Sequence, residues 1–124
     1  MTIDEVNALG QILDSTYGKS STFDGTKSIK TSLTADKLIV KYMTIVHFAS
    51  EVGLNQQVER NALEAAQMIN SYMKEVKARF KEEAGRSLKS KDVGGSDDIE
   101  LIQSTARSPR KVAYYRVNRT FEIQ

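Results

Sequence analysis

Residues 37–48 read Lys-Leu-Ile-Val-Lys-Tyr-Met-Thr-Ile-Val-His-Phe, and this stretch decides the fold. It is rich in β-branched and aromatic side chains, the types that suit a pleated, half-buried surface. Successive side chains of a strand point to opposite faces. Leu38, Val40, Tyr42, Val46 and Phe48 therefore share one face. Lys37, Ile39, Lys41, Met43, Ile45 and His47 share the other, and its mixture of apolar residues with lysines predicts partial cover. Just upstream, from Lys27, Ile29, Thr31 and Leu33 alternate with Ser28, Lys30 and Ser32. Thr34-Ala35-Asp36 reads as a turn, so the two strands form a hairpin.

Downstream, residues 55–84 read as one long helix. Val58, Ala62, Ala66, Ile69, Met73, Val76 and Phe80 recur at steps of three and four, which line one face at 3.6 residues per turn. Ala65 and Tyr72 widen the stripe, and Leu63 and Met68 lie on opposite flanks. No Gly or Pro interrupts this run, and Gly85 suits its end. Thirty residues span about 45 Å. A compact chain of this length has a diameter of roughly 35 Å. The helix is thus expected to project, or to pack against another copy or a partner.

At the other end, Ile3, Val6, Leu9, Ile12, Leu13 and Tyr17 predict an amphipathic helix over 3–17. Thr2 and Glu5 form a capping box and Gly18 suits the C′ position. Residues 19–27 read as a polar loop. Residues 86–98, with Gly94-Gly95-Ser96, read as a flexible polar loop. A short strand is expected over 99–105, a turn at Ser108-Pro109 and a last long strand over 111–123. On that strand Ala113, Tyr115, Val117, Phe121 and Ile123 form the apolar side, opposite Val112, Tyr114, Arg116 and Asn118. The order is α-β-β-α-β-β. It predicts a single α+β domain over residues 1–124. A four-stranded, mainly antiparallel sheet carries one long helix across a face, beside a short N-terminal helix.

The chain has 124 residues, 40% of them hydrophobic and 27% charged, ordinary values for a soluble domain. Folding buries roughly two thirds of the surface of a chain this long, enough for a real core. Cysteine is absent, which excludes disulfides, thiolate nucleophiles, iron–sulfur clusters and Cys-bound zinc. His47 is the only histidine, so no site can draw two from one chain. The acidic start Met1-Thr2-Ile3-Asp4-Glu5 does not read as a targeting peptide. No apolar run reaches the ~18 residues of a membrane span, so a cytoplasmic location is expected.

Each candidate site also admits a structural role. His47, on a strand beside Ile45 and Met43, has no nucleophile or orienting partner marked in sequence, and reads as structural. Asp92, Asp97, Asp98 and Glu100 cluster, but their spacing fits no calcium loop. Gly94-Gly95 opens no helix and precedes no lysine, so it is no phosphate loop. No catalytic, metal, cofactor or small-molecule site is expected.

The basic residues are more informative. The net charge is only +2, yet residues 1–54 carry −1 and residues 55–124 carry +3. Lys74, Lys77, Arg79, Lys81, Arg86, Lys89 and Lys91 fill the long helix's end and the stretch after it. Arg107, Arg110, Lys111, Arg116 and Arg119 then follow with no acid between them, around Tyr114 and Tyr115. Cations hold phosphates and tyrosines stack on bases, so Tyr114, Arg116 and Asn118 on one strand face suit a nucleic acid. Tyr and Arg are equally the residues of protein interfaces. The leading expectation is a non-enzymatic structural or assembly protein, acting through self-association or protein partners in a larger complex. A virion component of the tailed-phage neck or tail type fits its size and its Ser/Thr/Asn-rich strands. A nucleic-acid-binding module centred on the last strand is the alternative.

Overall fold

The computed structural model describes residues 1–16, 27–34, 36–102 and 111–124. Helix α1 spans Ile3–Ser15, β1 Lys27–Leu33, β2 Lys37–Phe48, α2 Glu51–Ala84, β3 Ser90–Ile102 and β4 Lys111–Ile123. The strands form one antiparallel sheet in the order β1-β2-β4-β3. The α+β order and the sheet thus agree with the reading from sequence.

The register fixes the two faces. Leu38, Val40, Tyr42 and Val46 of β2 point to the helix-bearing face with Ile29 of β1, and Ala113, Tyr115, Phe121 and Ile123 of β4 join them. They meet Ile69, Tyr72, Val76 and Phe80 of α2 and Leu9, Ile12 and Leu13 of α1, most of them fully buried. Both helices therefore lie on one side, and among the described residues no element covers the other, open face of the sheet.

Local chemistry explains the helix ends. At α1 the Thr2 hydroxyl accepts from the Glu5 amide at 3.1 Å, and the Glu5 carboxylate accepts from the Thr2 amide at 3.0 Å. Each bond satisfies a donor that a helix start leaves free. The helix stops at Ser15, with Thr16 as its C-cap; Tyr17 and Gly18, expected to finish it, lie outside the described residues. Helix α2 begins at Glu51, four residues before the expected start. The Ser50 side chain caps it by accepting from the Gly53 amide at 3.1 Å. Its end matches expectation, with Gly85 left-handed at φ 74°.

The segment 86–98 departs most from expectation. It is no flexible loop from residue 90 onward: Ser90–Ile102 is a 13-residue strand paired along β4. Two glycines make this possible. A bulge between Asp92 and Gly94 puts Gly94 at φ 113°, a conformation that side chains disfavour, and the Asp92 carboxylate accepts from the Gly94 amide at 2.8 Å. At Gly95 a Cβ would lie 1.9 Å from the Asn118 carbonyl oxygen, so only glycine lets the strands meet. The strand expected over 99–105 is the end of this longer one, and residues 103–105 lie outside the described residues, as does the expected turn at Ser108-Pro109.

Strands of 12 and 13 residues also change the proportions. At about 3.3 Å per residue they run roughly 40 Å. The 34 residues of α2 run about 51 Å. The long helix still exceeds the strands in length, and the residues it buries all lie within Ala65–Phe80.

Candidate interaction surface

The described residues split the predicted basic set. Tyr114, Arg116 and Asn118 of β4 project from the open face, as expected. Arg119 projects from the helix-bearing face, 3.9 Å from Asp92. Lys111 is exposed at the start of β4. Lys77 and Lys81 lie on the last turns of α2, with Arg86 and Lys89 just beyond. Arg107 and Arg110 lie outside the described residues. The helix-end cations and the Tyr114–Asn118 set thus belong to different faces of the sheet and build no single surface.

Several of these cations already have anions. Arg116 lies 2.6 Å from Glu100 and 3.4 Å from Asp98, and its guanidinium sits 5.3 Å from the Tyr114 ring centre. The Glu100 carboxylate, with Asp98 beyond it, raises the Arg116 pKa still further. Arg86 pairs with Glu5, donates to the Gln124 carbonyl at 3.1 Å and covers the Phe80 ring. The Arg86 guanidinium, with the Thr2 amide, lowers the Glu5 pKa to about 2. The run Arg107–Arg119 holds no acid along the chain, but β3 supplies acids to Arg116 and Arg119.

The four clustered acids also diverge. Asp97 faces the helix side, where it accepts from the Tyr115 hydroxyl at 2.9 Å. Burial first, and that bond second, raise the Tyr115 pKa to about 12. Asp98 and Glu100 project from the open face beside Arg116. Among the described residues, no three or more such side chains are placed to hold a metal. His47 is exposed near the start of α2, beside Gly53 and Gln56.

The less expected feature lies on the helix-bearing face. Glu51–Glu64, the first part of α2, contains no buried residue, whereas Ala65–Phe80 contains all six that the helix buries. Val52 and Leu63 are 68% and 65% exposed. Their spacing puts both on the flank of α2 that bears Ala66. Ala66 and Ala62 line a groove of about 220 Å³ against Gly95, Asp97, Tyr115 and Val117. Along that side of β3, Ile99 and Leu101 are 41% and 65% exposed. The other flank of α2 is occupied: Lys27 pairs with Glu64, Tyr72 donates to the Leu13 carbonyl at 2.9 Å, and Arg79 donates to the Thr16 hydroxyl at 3.2 Å. The helix layer thus covers the β1–β2 side and leaves β3 bare.

The open face carries Ile39, Met43, Ile45 and Tyr114, half-buried among their neighbours. A shallow pocket of about 250 Å³ there is lined by Ser28, Lys30, Lys41, Met43, Arg116 and Asn118. No helix among the described residues is long and apolar enough to cross a membrane. No family model, curated protein or solved structure matches this chain.

Proposed function

We propose that this chain is a structural assembly protein that builds a larger complex by packing copy against copy, rather than an enzyme. One observation carries this reading. Val52 and Leu63 on one flank of α2, and Ile99 and Leu101 on the helix side of β3, are large apolar side chains left exposed on the helix-bearing side of the sheet. Large apolar side chains grouped in this way mark contact surfaces, whereas scattered single ones do not. The context we propose is a viral particle, of the neck or tail type in a tailed phage, supported by the chain's small size and its assembly surface.

Light scattering coupled to size exclusion tests it. The wild type should form species larger than one chain as concentration rises through the micromolar range. Leu101→Glu and Leu63→Glu should weaken them while leaving the thermal melt unchanged, since both side chains are already exposed. A wild type that stays monomeric throughout overturns the reading.

A nucleic-acid module is the second reading, supported by Lys30, Lys41 and Asn118 in one row across the open face, with Tyr114 further along the same face of β4. Phosphate contacts predict binding to single strands that falls steeply with salt. Titration at two salt concentrations checks this, and no binding at low salt removes it. The acids already holding Arg116 weigh against it.

A further inference from the structure

We infer that copies of this chain join head to tail through their sheet edges, the β1 edge of one copy adding to the β3 edge of the next. The inference rests on the assembly reading above and specifies its geometry.

Among the described residues, β1 pairs only with β2 and β3 only with β4. Both outer strands therefore present backbone groups on which a further strand can form. Their charges are opposite. The β1 strand holds Lys27 and Lys30 and no acid. The β3 strand holds Lys91 against Asp92, Asp97, Asp98 and Glu100, of which Asp98 and Glu100 share the open face. A two-fold pairing of β3 with itself would set acids against acids, and β1 with β1 would set lysines against lysines. The head-to-tail arrangement sets one against the other.

Strand direction agrees. The sheet is antiparallel throughout, so β1 and β3, its first and fourth strands, run in opposite directions. A neighbour in the same orientation brings its β1 antiparallel to β3, with all helices on one side. Setting Lys30 opposite Glu100 then places Ile29 against Leu101, Thr31 against Ile99 and Ser32 against Asp98. Every pair matches face with face: Lys30, Ser32, Asp98 and Glu100 on the open side, the others on the helix side.

Two unfavourable features of the single chain are relieved together. Lys30 is the direct cross-strand partner of Lys41, a like-charge pair that weakens a sheet. Glu100 of the next copy, which also holds Arg116 of its own chain, brings an anion to the other side of Lys30. Ile99 and Leu101, bare on β3, come to lie beside the strand that the next copy covers with its own helix layer. A head-to-tail contact is heterologous, so it closes into a ring or runs on as a filament.

The experiment is light scattering on the wild type, Lys30→Glu, Glu100→Lys and the double variant, with thermal melts showing that each folds. Either single variant places like charges at every joint, and should require about tenfold more protein to assemble. The double variant, and a mixture of the two singles, restore opposite charges and should recover assembly. Larger species unaffected by Lys30→Glu, or unrescued by the double variant, overturn the head-to-tail joint. If Leu101→Glu still weakens those species, the assembly reading survives alone. A monomeric wild type overturns both.

Discussion

Gly95→Ala offers a sharp test of the sheet. The added methyl carbon would lie 1.9 Å from the Asn118 carbonyl oxygen and 3.0 Å from the carbon behind it. An ordinary contact needs more than 3 Å, so β3 and β4 must separate locally by over an ångström. Backbone is the obstacle on both sides, and no rotamer change relieves it. Overpacking of this kind costs about 1–3 kcal/mol, and each hydrogen bond lost as the strands part adds about 1 kcal/mol. A total near 3 kcal/mol is expected, a fall in melting temperature of roughly 10 °C for a chain of this size. Denaturant titration reads the energy, and amide exchange locates it between about residues 91 and 99. Gly94→Ala is the comparison. Its φ of 113° strains any side chain, but no atom lies within 4 Å, so the loss should be smaller, about 1–2 kcal/mol. If Gly95→Ala stayed within about 0.5 kcal/mol of wild type, the pairing of β3 through residue 95 would be wrong.

Other outcomes follow from the same geometry. Gly10→Ala, in the interior of α1 with open space where the methyl would go, should stabilise by about 0.5–1 kcal/mol in a thermal or denaturant melt. Ile69→Asp, a charge at a site 2% exposed, should abolish the cooperative melt, while Lys89→Ala, with its exposed side chain, should change it by less than about 0.5 kcal/mol. The carboxyl of Glu5 is held near 2 against an ordinary 4.5, so its contribution is complete above about pH 4.5 and lost as pH falls toward 2. Acid titration of Arg86→Met should therefore show a weaker pH dependence in that window. Tyr115 is raised to about 12, so one tyrosine of the native protein should ionise well after the free phenol, and stability from its neutral form should fall between pH 10 and 12.

Periodicity made the hairpin, the long helix and the last strand legible, because each buries one face and repeats it over many residues. Strand β2 has its expected bounds of Lys37 and Phe48. Strand β3 was legible only at its end, from residue 99, for a physical reason. It lies at the sheet edge with its helix side bare, so burial imposed no alternation on it. Its glycines serve a bulge and a close approach, but in sequence they resemble a hinge. The charges on Arg107–Arg119 were visible along the chain, and the acids facing them on β3 were not, since cross-strand partners are far apart in sequence. Leu63 is placed on a flank of the helix by its spacing; that Ile99 and Leu101 are exposed on the same side of the sheet depends on where β3 lies.

Strand β4, the last in sequence, sits between β2 and β3. During synthesis β1, β2 and α2 can come together while β3 still has no neighbour, because its sole partner among the described residues starts at Lys111. Leu38 must likewise wait for Phe121 before its side of the sheet closes. At roughly 5–20 residues per second, about 75 residues separate the end of β2 from the end of β4, an interval of several seconds. Throughout it the inner edge of β2 lies open beside the apolar face of α2. Such long-range pairing makes folding slow and leaves the growing chain prone to false strand partners. The strand that completes this sheet is also the one that ends this vulnerability.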